Sequence, residues 1–123
     1  MKMGTILVCD DSLFQRRILT SIVKKNGHTP LEAKNGHECL TIAKEKKPDL
    51  IFLDLLMPDY DGFAVLKDAA EEALGIPIIV ITADIQEITR SDCLNLGARA
   101  FLNKPVDHDE AGAVIEEFLG KRG

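Results

Sequence analysis

A chain of 123 residues is long enough for one domain with a three-layer core and too short for two ordinary ones. Its 46% hydrophobic and 28% charged residues are typical of a globular protein. A net charge of −5, without a basic stripe, argues against nucleic acid as a partner. Cys9, Cys39 and Cys93 are odd in number, with no C-x-x-C pair and no zinc-ligand spacing, and neither a signal-like segment nor a membrane-length apolar run is present. The expectation is a reduced, cytoplasmic protein with no membrane contact.

Short β-rich runs alternate with longer segments of helical period. The first strand is predicted over Thr5 to Cys9, followed by a helix from Asp11 to Lys25 with Leu13, Phe14, Ile18, Leu19, Ile22 and Val23 on one face. Asn26-Gly27 stops that helix, because both residues tolerate the left-handed conformation. The second strand, Thr29 to Ala33, carries Pro30 and is therefore expected at a sheet edge. A second helix runs from Gly36 to Lys46 and stops before Pro48.

The third strand, Leu50 to Leu53, and the fourth, Ile78 to Ile81, are continuously apolar, as strands covered on both faces are. A helix from Gly62 to Leu74 lies between them. A fourth helix spans Ile85 to Leu96, the fifth strand Ala100 to Leu102, and a last helix Asp109 to Leu119. This alternation predicts an α/β fold, a five-stranded parallel sheet wound with helices on both faces through right-handed crossovers. One domain, residues 1–123, is expected, with no output domain.

Four strand ends carry chemistry. The first leads into Asp10 and Asp11, the third into Asp54, the fourth into Thr82, and the fifth through Asn103 to Lys104 and Pro105. In a parallel sheet these ends share one edge, where open α/β folds bind ligands. Adjacent carboxylates repel unless a cation offsets them, and hard cations such as Mg2+ take oxygen ligands from one or two carboxylates. Asp10-Asp11-Ser12 also reads as a helix cap. Asp54, flanked by apolar residues, fits a metal ligand, a general base or a nucleophile. Asp59-x-Asp61-Gly62 lacks the later ligands of a calcium loop and reads as a turn followed by a helix cap.

The segments V-C-D-D-S, I-F-L-D-L-L-M-P-D-Y-D-G-F, I-I-V-I-T-A and G-A-R-A-F-L-N-K-P together resemble the receiver domain of two-component response regulators, the stand-alone CheY-like kind, from about Thr5 to Leu119. The resemblance implies the flavodoxin-like strand order 2-1-3-4-5 and Asp54 as phosphoacceptor. It implies an Mg2+ site at Asp10, Asp11, Asp54 and the Leu56 carbonyl. Thr82 and Phe101 would be the switch pair, Lys104 the ammonium that pairs with phosphate, and Pro58 and Gly62 the shapers of the loop after Asp54. A Lys104-Pro105 bond of this kind is often cis. The implied partners are a histidine kinase or phosphotransfer protein and a downstream protein effector, reached through the surface of the fourth helix, fifth strand and fifth helix.

The implied activity is self-catalysed phosphorylation and dephosphorylation in a signalling domain, not a classical enzyme. Leu56 and Asp84 are positions that vary and tune phosphoryl lifetime; an acidic Asp84 either repels an anionic donor or orients attacking water. Phe101 lacks the hydroxyl of a Tyr, so any switch rests on ring packing, for which the small Ala83 leaves room. Ile85, Ile88 and Cys93 are either a docking patch or core. The alternative function is a receiver-fold scaffold that is never phosphorylated. A haloacid-dehalogenase-type phosphatase would need an Asp where Leu56 stands, and a flavodoxin a Ser/Thr-rich first loop.

Overall fold

The computed structural model describes residues 3–120. Five strands, β1 (Thr5–Cys9), β2 (Thr29–Ala33), β3 (Leu50–Asp54), β4 (Ile78–Thr82) and β5 (Ala100–Asn103), alternate with five helices. These are α1 (Leu13–Lys25), α2 (Gly36–Lys46), α3 (Gly62–Glu71), α4 (Glu87–Asn95) and α5 (His108–Leu119). The strands are all parallel, in the order β2-β1-β3-β4-β5. Pro30 therefore sits in an edge strand, and the two continuously apolar strands are interior.

The alternation along each strand divides the core. Leu7, Cys9, Ile51, Leu53, Ile78 and Val80 join the layer beneath α2 and α3. Ile6, Val8, Phe52, Ile79 and Ile81 join the layer beneath α1 and α5. Both layers are apolar, which is why these strands read as unbroken runs. Cys9, Cys39 and Cys93 are buried free thiols. Burial pushes the Cys93 thiol up to about 11, and Cys9 is raised further by its contact with Cys39 and by burial. They behave as small core hydrophobes.

Several helix ends differ from the periodicity. α1 begins at Leu13, because the Ser12 hydroxyl accepts from the Gln15 amide and serves as its cap. α3 ends at Glu71, three residues before the predicted stop, since Ala73 and Gly75 take left-handed backbone angles of 50° and 70°. α4 begins at Glu87 because the residues from Asp84 form a turn ahead of it. α5 gains His108 at its start, capped by Asp107. Asp61 caps α3 through the Ala64 amide, as the turn-and-cap reading requires.

Candidate functional site at the carboxyl edge of the sheet

Strand register brings the site together. Asp54 and Thr82 are the last residues of the neighbouring strands β3 and β4, and Thr82 pairs with Asn103 of β5, one residue before Lys104. Asp10 follows β1, whose Cys9 faces Leu53. Asp10 and Thr82 are fully buried and Asp54 nearly so, whereas Asp11 is exposed.

One oxygen from each of Asp10, Asp11 and Asp54 lies within 4.8 Å of the others. The Lys104 ammonium donates to Asp10 Oδ2 at 3.0 Å and lies 3.3 Å from Asp54 Oδ1. Two sealed carboxylates beside one exposed carboxylate fit a hard divalent cation that keeps part of its water shell. The exposed Asp11 leaves a path for ion and water.

Asp10 is held at every polar atom. Its amide donates to the Ala33 carbonyl at 3.1 Å, and its carbonyl accepts from Arg16 Nη1 at 2.8 Å. Its Oδ1 accepts from the Ser12 amide at 2.9 Å, and its Oδ2 takes Lys104. Asp54 is braced from below: a Cβ on Gly62 would stand 2.7 Å from the Leu55 Cα and 2.8 Å from the Asp54 carbonyl oxygen. Only glycine permits that approach of α3 to the strand end. The Leu56 side chain points away, 68% exposed. Pro58 lies in the same loop, where its carbonyl accepts from the Tyr60 amide.

Electrostatics follow from this packing. Burial, and then the neighbouring Asp10 charge, push the Asp54 carboxyl up to about 6 against the pull of Lys104 and of the Leu56 amide. For Lys104, burial works against the charged form, but the hydrogen bond to Asp10 and the charges of Asp54 and Asp10 outweigh it and hold the ammonium above its ordinary value. Three carboxyl groups thus face the one Lys104 ammonium, an arrangement that favours an added divalent ion.

The β4–α4 side is built differently. The Thr82 hydroxyl accepts from the Asp84 amide at 3.2 Å. Asp84 Oδ1 accepts from the Gln86 amide at 2.8 Å and Oδ2 from the Thr89 hydroxyl at 2.7 Å. Those two bonds hold the Asp84 carboxyl below the usual range. Asp84 is thus occupied as an anchor for α4, whose own cap residue Gln86 makes no side-chain bond. Asn103 Nδ2 ties the same loop through the carbonyls of Thr82 and Asp84.

Phe101 is half-buried in β5, with the Arg90 guanidinium 5.7 Å from its ring centroid. The uncertain trio divides: Ile85 and Ile88 are 82% and 63% exposed, while Cys93 belongs to the core. The Lys104-Pro105 bond is cis. Sequence reasoning passed over Arg16, Thr89, Arg90 and Asn103. Only Arg16 carried a signal, as a cation five residues beyond Asp11 in the helix that follows the acid pair.

A doubly wound parallel sheet of this order, with an acidic cluster and one lysine at its carboxyl edge, defines a flavodoxin-like α/β fold with a charged site where such sheets bind ligands. The chain belongs to the receiver domains of two-component response regulators: the response regulator receiver domain profile matches residues 6–116. It is 36% identical over 119 residues to the protein PilH of Pseudomonas aeruginosa, covering 95% of this chain and 98% of PilH. It is 34% identical over 115 residues to the chemotaxis protein CheY of Bacillus subtilis, covering 93% and 96%. Other curated relatives are transcriptional regulators of which the chain spans about half. Among solved structures, the signal receiver domain of the response regulator NarL from Mycobacterium tuberculosis superposes with a TM-score of 0.89 at 26% identity, covering 98% of this chain and all of that one. Receiver domains are signalling domains, not classical enzymes, and bind Mg2+ at an acidic pocket of this kind. No helix among the described residues is long and apolar enough to cross a membrane.

Proposed function

We propose that this chain is a single cytoplasmic receiver unit, gated by phosphorylation. Asp54 accepts a phosphoryl group from a histidine kinase or phosphotransfer protein in an Mg2+-dependent reaction, and the modified domain binds a protein effector. One observation carries this reading: a single ammonium, Lys104, spans the buried acids Asp10 and Asp54 at 3.0 and 3.3 Å. An ammonium so placed can transfer from the carboxylates to a phosphoryl oxygen as charge arrives there.

Asp10, Asp11, Asp54 and the Leu56 carbonyl would hold the ion, which when bound offsets charge on the phosphoryl oxygens. In the forward step, an Asp54 oxygen attacks the donor phosphorus. The new O–P bond forms as the bond from phosphorus to the donor atom breaks, and that electron pair leaves with the donor. Most of the catalysis lies in positioning and fixed charge rather than proton transfer. In hydrolysis water attacks phosphorus as the bond to Asp54 breaks, the electron pair returns to the carboxylate, the proton shed by water goes to solvent, and inorganic phosphate leaves.

The signal would pass along β4. A phosphoryl oxygen would accept from the Thr82 hydroxyl, whose oxygen here accepts from the Asp84 amide, and Thr82 moving inward would open space for the Phe101 ring. This biases an existing equilibrium of the α4, β5 and α5 surface. The small side chain of Ala83 leaves the ring that path, so a bulky residue at Ala83 is expected to weaken effector binding.

The test is intact mass after incubation with acetyl phosphate and Mg2+, for wild type beside Asp54→Ala. A gain of one phosphoryl group, absent without Mg2+ and in the variant, supports the reading. Failure of wild type both to gain mass and to bind beryllofluoride with Mg2+ would put the unphosphorylated scaffold first.

A further inference from the structure

We infer that Arg16 and Glu32 form a positioning pair that sets the acid cluster for its cation, an inference that rests on the phosphoacceptor reading above. Arg16 is the fourth residue of α1, its side chain only 13% exposed. Its Nη1 donates to the carbonyl of Asp10 at 2.8 Å, and its Nε lies 3.1 Å from Glu32 Oε1. Glu32 belongs to the edge strand β2, in register with Val8 of β1. One planar guanidinium therefore links the edge strand, the first helix and the peptide that carries the buried metal-facing acid.

The geometry explains what this link does. Asp10 stands just beyond β1, where its carbonyl has left the sheet ladder, and Arg16 is the donor that meets it. Rotation of that peptide would swing the carboxylate away from both Lys104 and the Asp54 oxygen. The Ala33 carbonyl holds the other side of the residue through the Asp10 amide, and Glu32 is its sequence neighbour in β2. Glu32 in turn fixes the guanidinium plane, because an arginine fork held at one nitrogen keeps its remaining donors aimed. The Arg16–Glu32 contact is half-exposed and contributes little to stability by itself. Its value lies in the direction it gives the Nη1 donor.

Arg16 makes no contact with the reacting atoms and is a positioning residue. It acts through backbone geometry, so its loss should weaken cation binding more than folding. The experiment measures Mg2+ affinity by amide NMR titration, together with thermal stability, for wild type, Arg16→Ala, Arg16→Lys and Glu32→Gln. Lys44→Ala, which removes the exposed pair Lys44–Glu72 far from the site, is the control.

We expect Arg16→Ala to lose about tenfold in Mg2+ affinity, within the range measured for outer-shell partners of metal ligands. Arg16→Lys should recover part of that loss, because a lysine can still donate to the Asp10 carbonyl but cannot hold Glu32 at the same time. Glu32→Gln, which keeps the side-chain shape, should lose a few-fold with its melting temperature nearly unchanged, and Lys44→Ala should bind as wild type does. Arg16→Ala and Glu32→Gln both binding Mg2+ within twofold of wild type would overturn the inference while leaving the phosphoacceptor reading intact. Wild type failing to bind Mg2+ would overturn both.

Discussion

The two halves of the carboxyl edge are held with very different firmness. On the β1–β3 side, Asp10 has a partner at its amide, its carbonyl and both carboxylate oxygens, and Asp54 stands against a glycine that admits no side chain. On the β4 side, the anchors are the side chains of Asp84, Thr89 and Asn103, and α4 buries only Thr89 and Cys93 while leaving Ile88 to solvent. α1, by contrast, buries Leu19, Thr20, Ile22 and Val23. On the phosphoacceptor reading proposed above, presenting fixed charge to a phosphoryl group calls for the first kind of construction and reporting the event for the second, since low local stability is where motion comes from.

The sharpest way to break this contrast is at Asp54. Asp54→Ala should abolish phosphoryl uptake completely by intact mass, while leaving hydrogen exchange in α4 near wild type. Next in size is Lys104→Ala, which leaves two buried carboxylates facing each other. Without divalent cation at pH 7 to 8 it should destabilise the fold by about 3 kcal/mol, the cost of removing one partner from a buried charge pair. Added Mg2+ should recover much of that in a denaturant titration.

The pH dependence follows from Asp54. Its folded value of about 6 lies above the ordinary 3.8, so the folded state binds this proton more tightly than the unfolded chain does. The stability contributed is fully present below the ordinary value and is lost as pH rises through 6. Wild-type melting temperature without divalent cation should therefore decline across that window relative to Asp54→Asn, and parallel curves for the two proteins would refute the assignment.

Smaller effects belong to the other half. Thr89→Ala removes the hydroxyl that holds Asp84; hydrogen exchange should quicken in α4 and not in α1, with little change in melting temperature. Arg90→Ala frees the Phe101 ring at a cost of about 0.5–1 kcal/mol. Ile88→Ser should change stability by less than about 0.5 kcal/mol, as exposed substitutions do, and if this face meets the effector it should weaken that binding.

Much of this was legible in the residue order. Continuous apolar runs announced strands covered on both sides, Pro30 announced an edge, and Asn26-Gly27 announced the end of α1. Acids, hydroxyl and lysine each followed such a run, so parallel pairing alone put them on one edge, because strand ends in a parallel sheet share a side. The strand order came from the resemblance to receiver domains, since periodicity does not say which strands are neighbours. Only tertiary structure decided that Cys93 is core while Ile85 and Ile88 face water, because burial depends on how α4 is turned against the sheet. The same holds for Arg16 reaching the Asp10 carbonyl, Asp84 serving as the anchor of α4, and burial beside Asp10 raising Asp54. Each of these depends on distances across elements far apart in the chain.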